Sequence, residues 1–176
     1  MQVIFDHAKE RKIMFSTFHP DAALLIPKLQ TTYPVFFLSN GGNEIHSDPR
    51  RNSLEEAIKL CLAGGLQGIV SEVKAILRDP GAIAKIKDSK LSLITYGQPN
   101  NVGEVVSMQR KMGVEGVIAD VVEEIIDVVS KIEGSGKGEN GNYWSAERSI
   151  LTQKIDHCSE EEICWLFRLL PGLMQY

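Results

Sequence analysis

Five short apolar runs punctuate the chain: Lys12–Phe18, Val35–Asn40, Gly68–Val73, Leu91–Gly97 and Val114–Asp120. Each leads into a stretch with helical spacing. Their starts lie roughly one strand–helix unit apart. This alternation predicts a parallel sheet covered by helices, because a parallel neighbour is reached only through a long crossover, usually a helix. In the first run Ile13, Phe15 and Thr17 alternate with Met14, Ser16 and Phe18. Val35–Leu38 is continuously apolar, as in a strand buried on both faces. Between the second run and the next helix, Ser39–Arg51 is polar, contains Gly41-Gly42 and reads as a loop.

The helix signals are local. Pro20 suits a first turn, and Ala22, Leu25, Ile26 and Leu29 then share a face. Ser53 with Glu56 makes a capping box before Leu54, Ala57, Ile58, Cys61 and Leu62, and Gly64-Gly65 ends that helix. Asp79-Pro80 starts a short helix to Lys87. Asn101 with Glu104, and Asp120 with Glu123, read as the caps of two more. The composition breaks over Glu133–Asn142, EGSGKGENGN, a flexible linker. The expected organisation is a domain over residues 1–133, a linker over 134–142 and a helical tail over 143–176. Ser159 with Glu162 would cap the tail helix Ile163–Leu170.

Composition narrows the possibilities. The chain has 176 residues, enough for one domain and a tail, and its apolar fraction of 43% can fill a core. The net charge of −4 is spread along the sequence and gives no case for nucleic acid or an anionic membrane. No apolar run is long enough for a transmembrane segment. The three cysteines, Cys61, Cys158 and Cys164, form no C-x-x-C pair. They point to an intracellular, reducing compartment, with plastid and cytoplasm both open.

In parallel α/β folds the chemistry gathers at the carboxyl ends of the strands. Those ends carry Ser16, Phe18, His19, Asn40, Glu72, Lys74, Tyr96, Gln98 and Asp120. His19, before Pro20, is expected as a turn residue over a helix start. Glu72 and Lys74 alternate, so they should share a face, to pair with each other or to reach a ligand. Asp120 is expected as a helix cap. Neither G-x-G-x-x-G nor G-x-x-x-x-G-K-[ST] occurs. The residues alone leave two architectures open, an incomplete barrel and a five-stranded sheet of flavodoxin type.

Two runs carry a resemblance. Ile13–Asp21, IMFSTFHPD, resembles the strand bearing a serine–phenylalanine pair in the glycerophosphodiester phosphodiesterase family. Val114–Asp120, VEGVIAD, resembles that family's last barrel strand, which ends in aspartate. Between them YPVFFLSNGG, RRNSLEEAIKLC, GLQGIVSEVKAILR and KLSLITYGQPNNV look like its plant branch. The resemblance covers residues 1–133 and implies an α/β fold. It would be a partial TIM barrel, parallel strands four to eight with their helices, followed by the tail. It implies hydrolysis of glycerophosphodiesters to glycerol 3-phosphate and an alcohol. In the intact family enzyme it implies a divalent metal, calcium or magnesium, held by carboxylates of early strands, with two histidines as acid and base.

None of those motifs lies in this chain. Glu72-Val73-Lys74 mimics the family's glutamate-x-lysine pair but stands two strands late. The resemblance therefore transfers no catalytic residue and no metal ligand, and this chain alone is expected to bind no metal and to be inactive. Phe18 and Tyr96 fall at strand ends that border the family's pocket and would line its alcohol side. Thr95-Tyr96 stands where the family often has tryptophan-threonine, so leaving-group preference does not transfer. Five strands of a barrel would leave open edges at Ile13–Phe18 and Val114–Ala119. These would pair with a preceding half or with a second copy. A non-catalytic interaction protein and a flavodoxin-like binding domain are the alternatives.

Overall fold

A computed structural model describes residues 2–8, 13–134, 150–152 and 165–168. After helix α1 (Gln2–Ala8), the described elements are β1 (Ile13–Thr17), α2 (Pro20–Leu29), β2 (Val35–Ser39), α3 (Leu54–Gly64), β3 (Gly68–Glu72), α4 (Val73–Arg78), α5 (Gly81–Asp88), β4 (Ser92–Tyr96), α6 (Gly103–Met112), β5 (Gly116–Ala119), α7 (Val122–Gly134), β6 (Ile150–Thr152) and β7 (Trp165–Arg168). All five apolar runs are strands.

The caps explain where the helices start and stop. Ser53 Oγ accepts the Glu56 N–H at 3.1 Å, as a capping box requires. At the far end of α3 the N–H of Gly65 turns back to Cys61 and Leu62 at φ 64°, a left-handed turn that suits glycine. His19 caps α2, its Nδ1 accepting the Ala22 N–H at 3.4 Å. The cap expected at Asn101 is not used. Helix α6 begins at Gly103, behind Val102, without a side-chain cap. Asn101 faces a tertiary partner instead.

Strand order decides the architecture. The sheet reads β6-β5-β4-β3-β2-β1-β7, with β1 to β5 consecutive and parallel. A flavodoxin-like sheet has its first strand between the second and third, so that alternative is excluded. Two apolar clusters follow from the period of two. Phe15, Val35, Phe37, Ile69, Leu93 and Val117 face the helices and pack on residues such as Ala57, Cys61, Ile76, Ile86 and Val106. Met14, Phe36, Leu38, Val70, Ile94 and Ile118 form a second cluster built from strands alone. A sheet with all its helices on one face buries the other only by curling on itself. This is the α/β arrangement of a partial TIM barrel.

Buried polar groups pin the curl between β4 and β5. Asn100 is fully buried, and its Nδ2 donates to the carbonyl oxygens of Thr95 and Ile118, both at 3.0 Å, and to Thr95 Oγ1 at 3.2 Å. Gln109 Nε2 donates to Asn100 Oδ1 at 2.8 Å, and Thr95 Oγ1 donates to Gln109 Oε1 at 2.6 Å. Every member of the ring has a partner, so burial carries no desolvation penalty that goes uncompensated.

Two expectations about the edges are corrected. β1 is not open: β7 pairs with it antiparallel, Ile13 opposite Arg168 and Ser16 opposite Trp165. β5 is flanked by β6 in parallel, Val117 opposite Ile150. The two outer strands approach each other, with Cα atoms within 8 Å. The helix expected over Ile163–Leu170 is extended at Trp165–Arg168. A short run apolar nearly all round, with only Arg168 charged, has little helical period to defend, and an unpaired strand edge offers it backbone partners. The linker 134–142, apart from Gly134 at the end of α7, and most of the tail lie outside the described residues.

Cys61 is fully buried on α3, its Sγ directed at the Gly68 carbonyl at 3.4 Å, and burial pushes its thiol up to about 12. In a Cys158→Ser, Cys164→Ser background we expect no reaction with Ellman's reagent at pH 8 until denaturant is added. Because the folded value lies above the unfolded one of 9.0, the thiol's contribution is intact below pH 9. It declines as pH rises toward 12, since only the unfolded chain ionises there. Melting scans from pH 8 to 11 should therefore show a smaller alkaline loss in Cys61→Ala than in the parent.

Candidate functional site

The strand-only cluster has a floor and a mouth. Counting two residues on from its members along β2 to β5 reaches Asn40 after β2, Glu72 on β3, Tyr96 on β4 and Asp120 after β5; along β1, two residues on from Met14 is the buried Ser16 and four is Phe18. Phe18 and Tyr96 pack directly on the cluster. Their rings meet edge to face, with centroids 6.3 Å apart and planes at 82°. Tyr96 Oη reaches the Ser39 carbonyl at 3.5 Å. Its ionisation is pushed well above the ordinary phenol range, first by burial and then by the Glu72 and Glu44 carboxylates, while the Arg51 charge opposes the shift.

The loop after β2 arches over this mouth. Asn40 Nδ2 lies 2.9 Å from His46 Nε2 and 3.2 Å from Glu44 Oε2. Asn52 holds the His46 backbone in both directions, at 2.7 and 3.0 Å. Asn43 donates to Glu72 and accepts from Arg78, whose second nitrogen donates to the Gly41 carbonyl at 3.2 Å. Gly41 sits at φ +62°, where a Cβ would come within 2.2 Å of the Ala75 methyl, so the loop lies against α4 only because that side chain is missing.

Two neighbouring arginines in this loop are treated differently. Arg50 reaches Asp48 at 2.6 Å and Asp21 at 2.7 Å. Its hydrogen bonds hold the Asp48 carboxyl down to about 2. Arg51 lies over the Phe18 ring with its guanidinium carbon 5.7 Å from the centroid.

The expected site residues divide accordingly. Phe18, Asn40, Glu72, Tyr96 and Asp120 share the mouth. Asp120 is bound by Asn101, which accepts its N–H and donates to its carboxylate, both at 2.8 Å. Ser16 is on the inward face, fully buried, its hydroxyl without a partner among the described residues. His19 is spent on the α2 cap. Glu72 and Lys74 do not pair, because β3 ends at Glu72 and Lys74 is an exposed residue of α4. Sequence reasoning missed Asn43, Arg51 and Arg78. The one signal for the loop that carries Asn43 and Arg51 was its polar length on the functional face.

Among the described residues no three histidine, cysteine, aspartate or glutamate side chains come together in a way that could hold a metal. Glu72 and Asp120 are each engaged by a different asparagine. The donor set among the described residues does not fit a divalent cation.

The family profile described as "Glycerophosphoryl diester phosphodiesterase family" matches residues 1–124. The chain belongs to this family. Among curated proteins, Arabidopsis thaliana "Glycerophosphodiester phosphodiesterase GDPD1, chloroplastic" is 54% identical over 177 residues, covering 100% of this chain and 46% of the relative. Arabidopsis thaliana "Glycerophosphodiester phosphodiesterase GDPD3" is 62% identical over 133 residues, covering 76% of this chain and 36% of the relative. "Glycerophosphocholine phosphodiesterase GDE1" of Candida albicans is 38% identical over 123 residues, 69% of this chain and 11% of the relative. The chain thus spans about half the length, or less, of the curated relatives it matches. As a member of the glycerophosphoryl diester phosphodiesterase family it carries the plant-type resemblance seen between Ile13 and Asp120. Among the described residues no helix is long and apolar enough to cross a membrane.

Proposed function

We propose that the protein to which these residues belong hydrolyses glycerophosphodiesters to glycerol 3-phosphate and an alcohol, as a phosphoric diester hydrolase. This chain supplies strands four to eight of the barrel and the alcohol side of the pocket, with β7 and β6 giving up the edges of β1 and β5 to the strands that precede them. The observation that carries the reading is the mouth over the strand-only cluster, where the Phe18–Tyr96 corner meets polar strand ends in a member of this family. In the reaction the phosphorus–oxygen bond to the leaving alcohol breaks, water supplies the new oxygen on phosphorus and a proton passes to the alcohol. The part these side chains play is to hold the leaving alcohol against two rings and keep bulk water from it. The acid–base groups and the cation-holding carboxylates belong to a stretch preceding these strands. The chloroplastic relative favours residence in the plastid over the cytoplasm.

The test is hydrolysis of glycerophosphocholine and glycerophosphoglycerol with calcium or magnesium. It compares the 176 residues alone with the same residues preceded by a stretch bearing the two acid–base histidines and the metal-holding carboxylates that the family resemblance implies. We expect turnover only in the longer protein. Enzyme-like turnover by the 176 residues alone overturns the placement of the acid–base groups, and no turnover of either diester by the longer protein overturns the function.

A further inference from the structure

The aromatic corner of the mouth is already occupied by a cation. Phe18 and Tyr96 set two rings edge to face at 6.3 Å, the kind of concave aromatic surface on which a quaternary ammonium group would rest. The guanidinium of Arg51 takes that place, 5.7 Å from the Phe18 centroid and close enough to Tyr96 to act on its charge. Among the described residues Arg51 makes no ion pair and its guanidinium makes no hydrogen bond.

Its neighbour shows that this is not a shortage of carboxylates. Arg50 is held by both Asp21 and Asp48. Those bonds fix the short helical turn Pro49–Arg51, also tied by Asp48 Oδ1 accepting the Arg50 N–H at 3.0 Å, and so present Arg51 to the mouth. The carboxylates near the corner are engaged elsewhere. Glu72 accepts from Asn43, which is backed by Arg78, and Glu44 lies with Asn40 and His46 in an exposed position. Asp48 is near enough for its charge to be felt by Arg51, but its oxygens are bonded to Arg50. A half-buried guanidinium with five donors and no direct ion pair among the described residues is a binding group for an anion or a polyol.

Resting on the function proposed above, we infer that Arg51 is a specificity-determining residue of the alcohol pocket. Its guanidinium, laid on Phe18 beside Tyr96, favours glycerophosphodiesters with a neutral polyol or anionic headgroup and disfavours those with a quaternary ammonium. Two effects combine. The guanidinium donates hydrogen bonds to headgroup oxygens, and it denies the ring faces to a competing cation, which it also repels.

The test titrates the full 176-residue chain, isotopically labelled, with glycerophosphoglycerol and separately with glycerophosphocholine. It follows the arginine Nε–H signals and the backbone amides of Phe18 and Tyr96 by nuclear magnetic resonance. The expected result is binding of glycerophosphoglycerol at least about fivefold tighter than the choline diester. R51M keeps the apolar stem over Phe18 and removes the charge; it should weaken glycerophosphoglycerol about tenfold and tighten the choline diester. R51K, a point charge without the fork, should fall between. A structural role alone would shift both ligands together and leave their ratio unchanged. Equal or reversed preference in the parent chain, which needs no variant to fold, overturns the inference. So does an unchanged ratio in R51M, and in both cases the proposed hydrolysis stands. If neither diester moves the Phe18 and Tyr96 amides, the alcohol pocket placed here is wrong and the inference falls with it.

Discussion

Asn100→Leu should destabilise the fold by about 3–5 kcal/mol, because it strips partners from several buried groups at once. Asn100 Nδ2 serves the carbonyl oxygens of Thr95 and Ile118 and the Thr95 hydroxyl, while its Oδ1 accepts from Gln109. Leucine is close in size but offers no polar atom. The Ile118 carbonyl and Gln109 Nε2 are then left buried, each carrying a penalty of about 1–3 kcal/mol. Urea denaturation with an unchanged m-value would measure the loss. The triple variant Asn100→Leu, Gln109→Leu, Thr95→Val should recover part of it, since the orphaned Gln109 donor and the Thr95 hydroxyl bonded to that side chain are then removed together. A single-variant loss below about 1 kcal/mol would show that water enters the site and that the ring does not hold β4 to β5.

Phe37→Ala should be comparably damaging, about 3–5 kcal/mol. Phe37 is fully buried on a strand flanked on both sides, and its ring faces the helical layer. Removing a phenyl there forfeits transfer free energy and opens a cavity among side chains fixed by parallel strands, so collapse is limited. A melting temperature depressed by well over ten degrees is expected for a domain of this size. Phe37→Leu, which keeps most of the volume, should lose less than half as much. If the two variants melt together, the ring is not packed as described.

The strands and their facing were legible because they depend on local spacing. Val35–Leu38 is apolar throughout and is buried throughout. Ser53, Gly65 and His19 act as their immediate neighbours suggested, since each cap closes a bond within four residues. Asn101 misled for the opposite reason. Its partner Asp120 lies 19 residues away, and a tertiary bond displaced a cap that a short window favours. Trp165–Arg168 misled because a short run that is apolar but for Arg168 reads equally as helix or strand, and a strand edge settled it. In the site, Phe18 and Tyr96 could be placed by counting along strands. Arg51 and Asn43 could not, because a thirteen-residue polar loop has no period and its course is set by Gly41 against Ala75. The family came from whole segments, not from any single chemical group.

The one-sided winding of the sheet has an evolutionary consequence. Among the described residues no helix contributes to the strand-only cluster, so adjacent letters of one strand answer to separate demands. Leu93 and Thr95 meet the helical shell, while Ile94 and Tyr96 shape the cavity. Under the proposed function, drift in the shell would retune durability and leave the choice of headgroup alone, and the inner face could be re-lettered for a new alcohol without rebuilding the shell. Under that function, substrate choice and robustness would be interleaved in the text of each strand yet inherited almost independently.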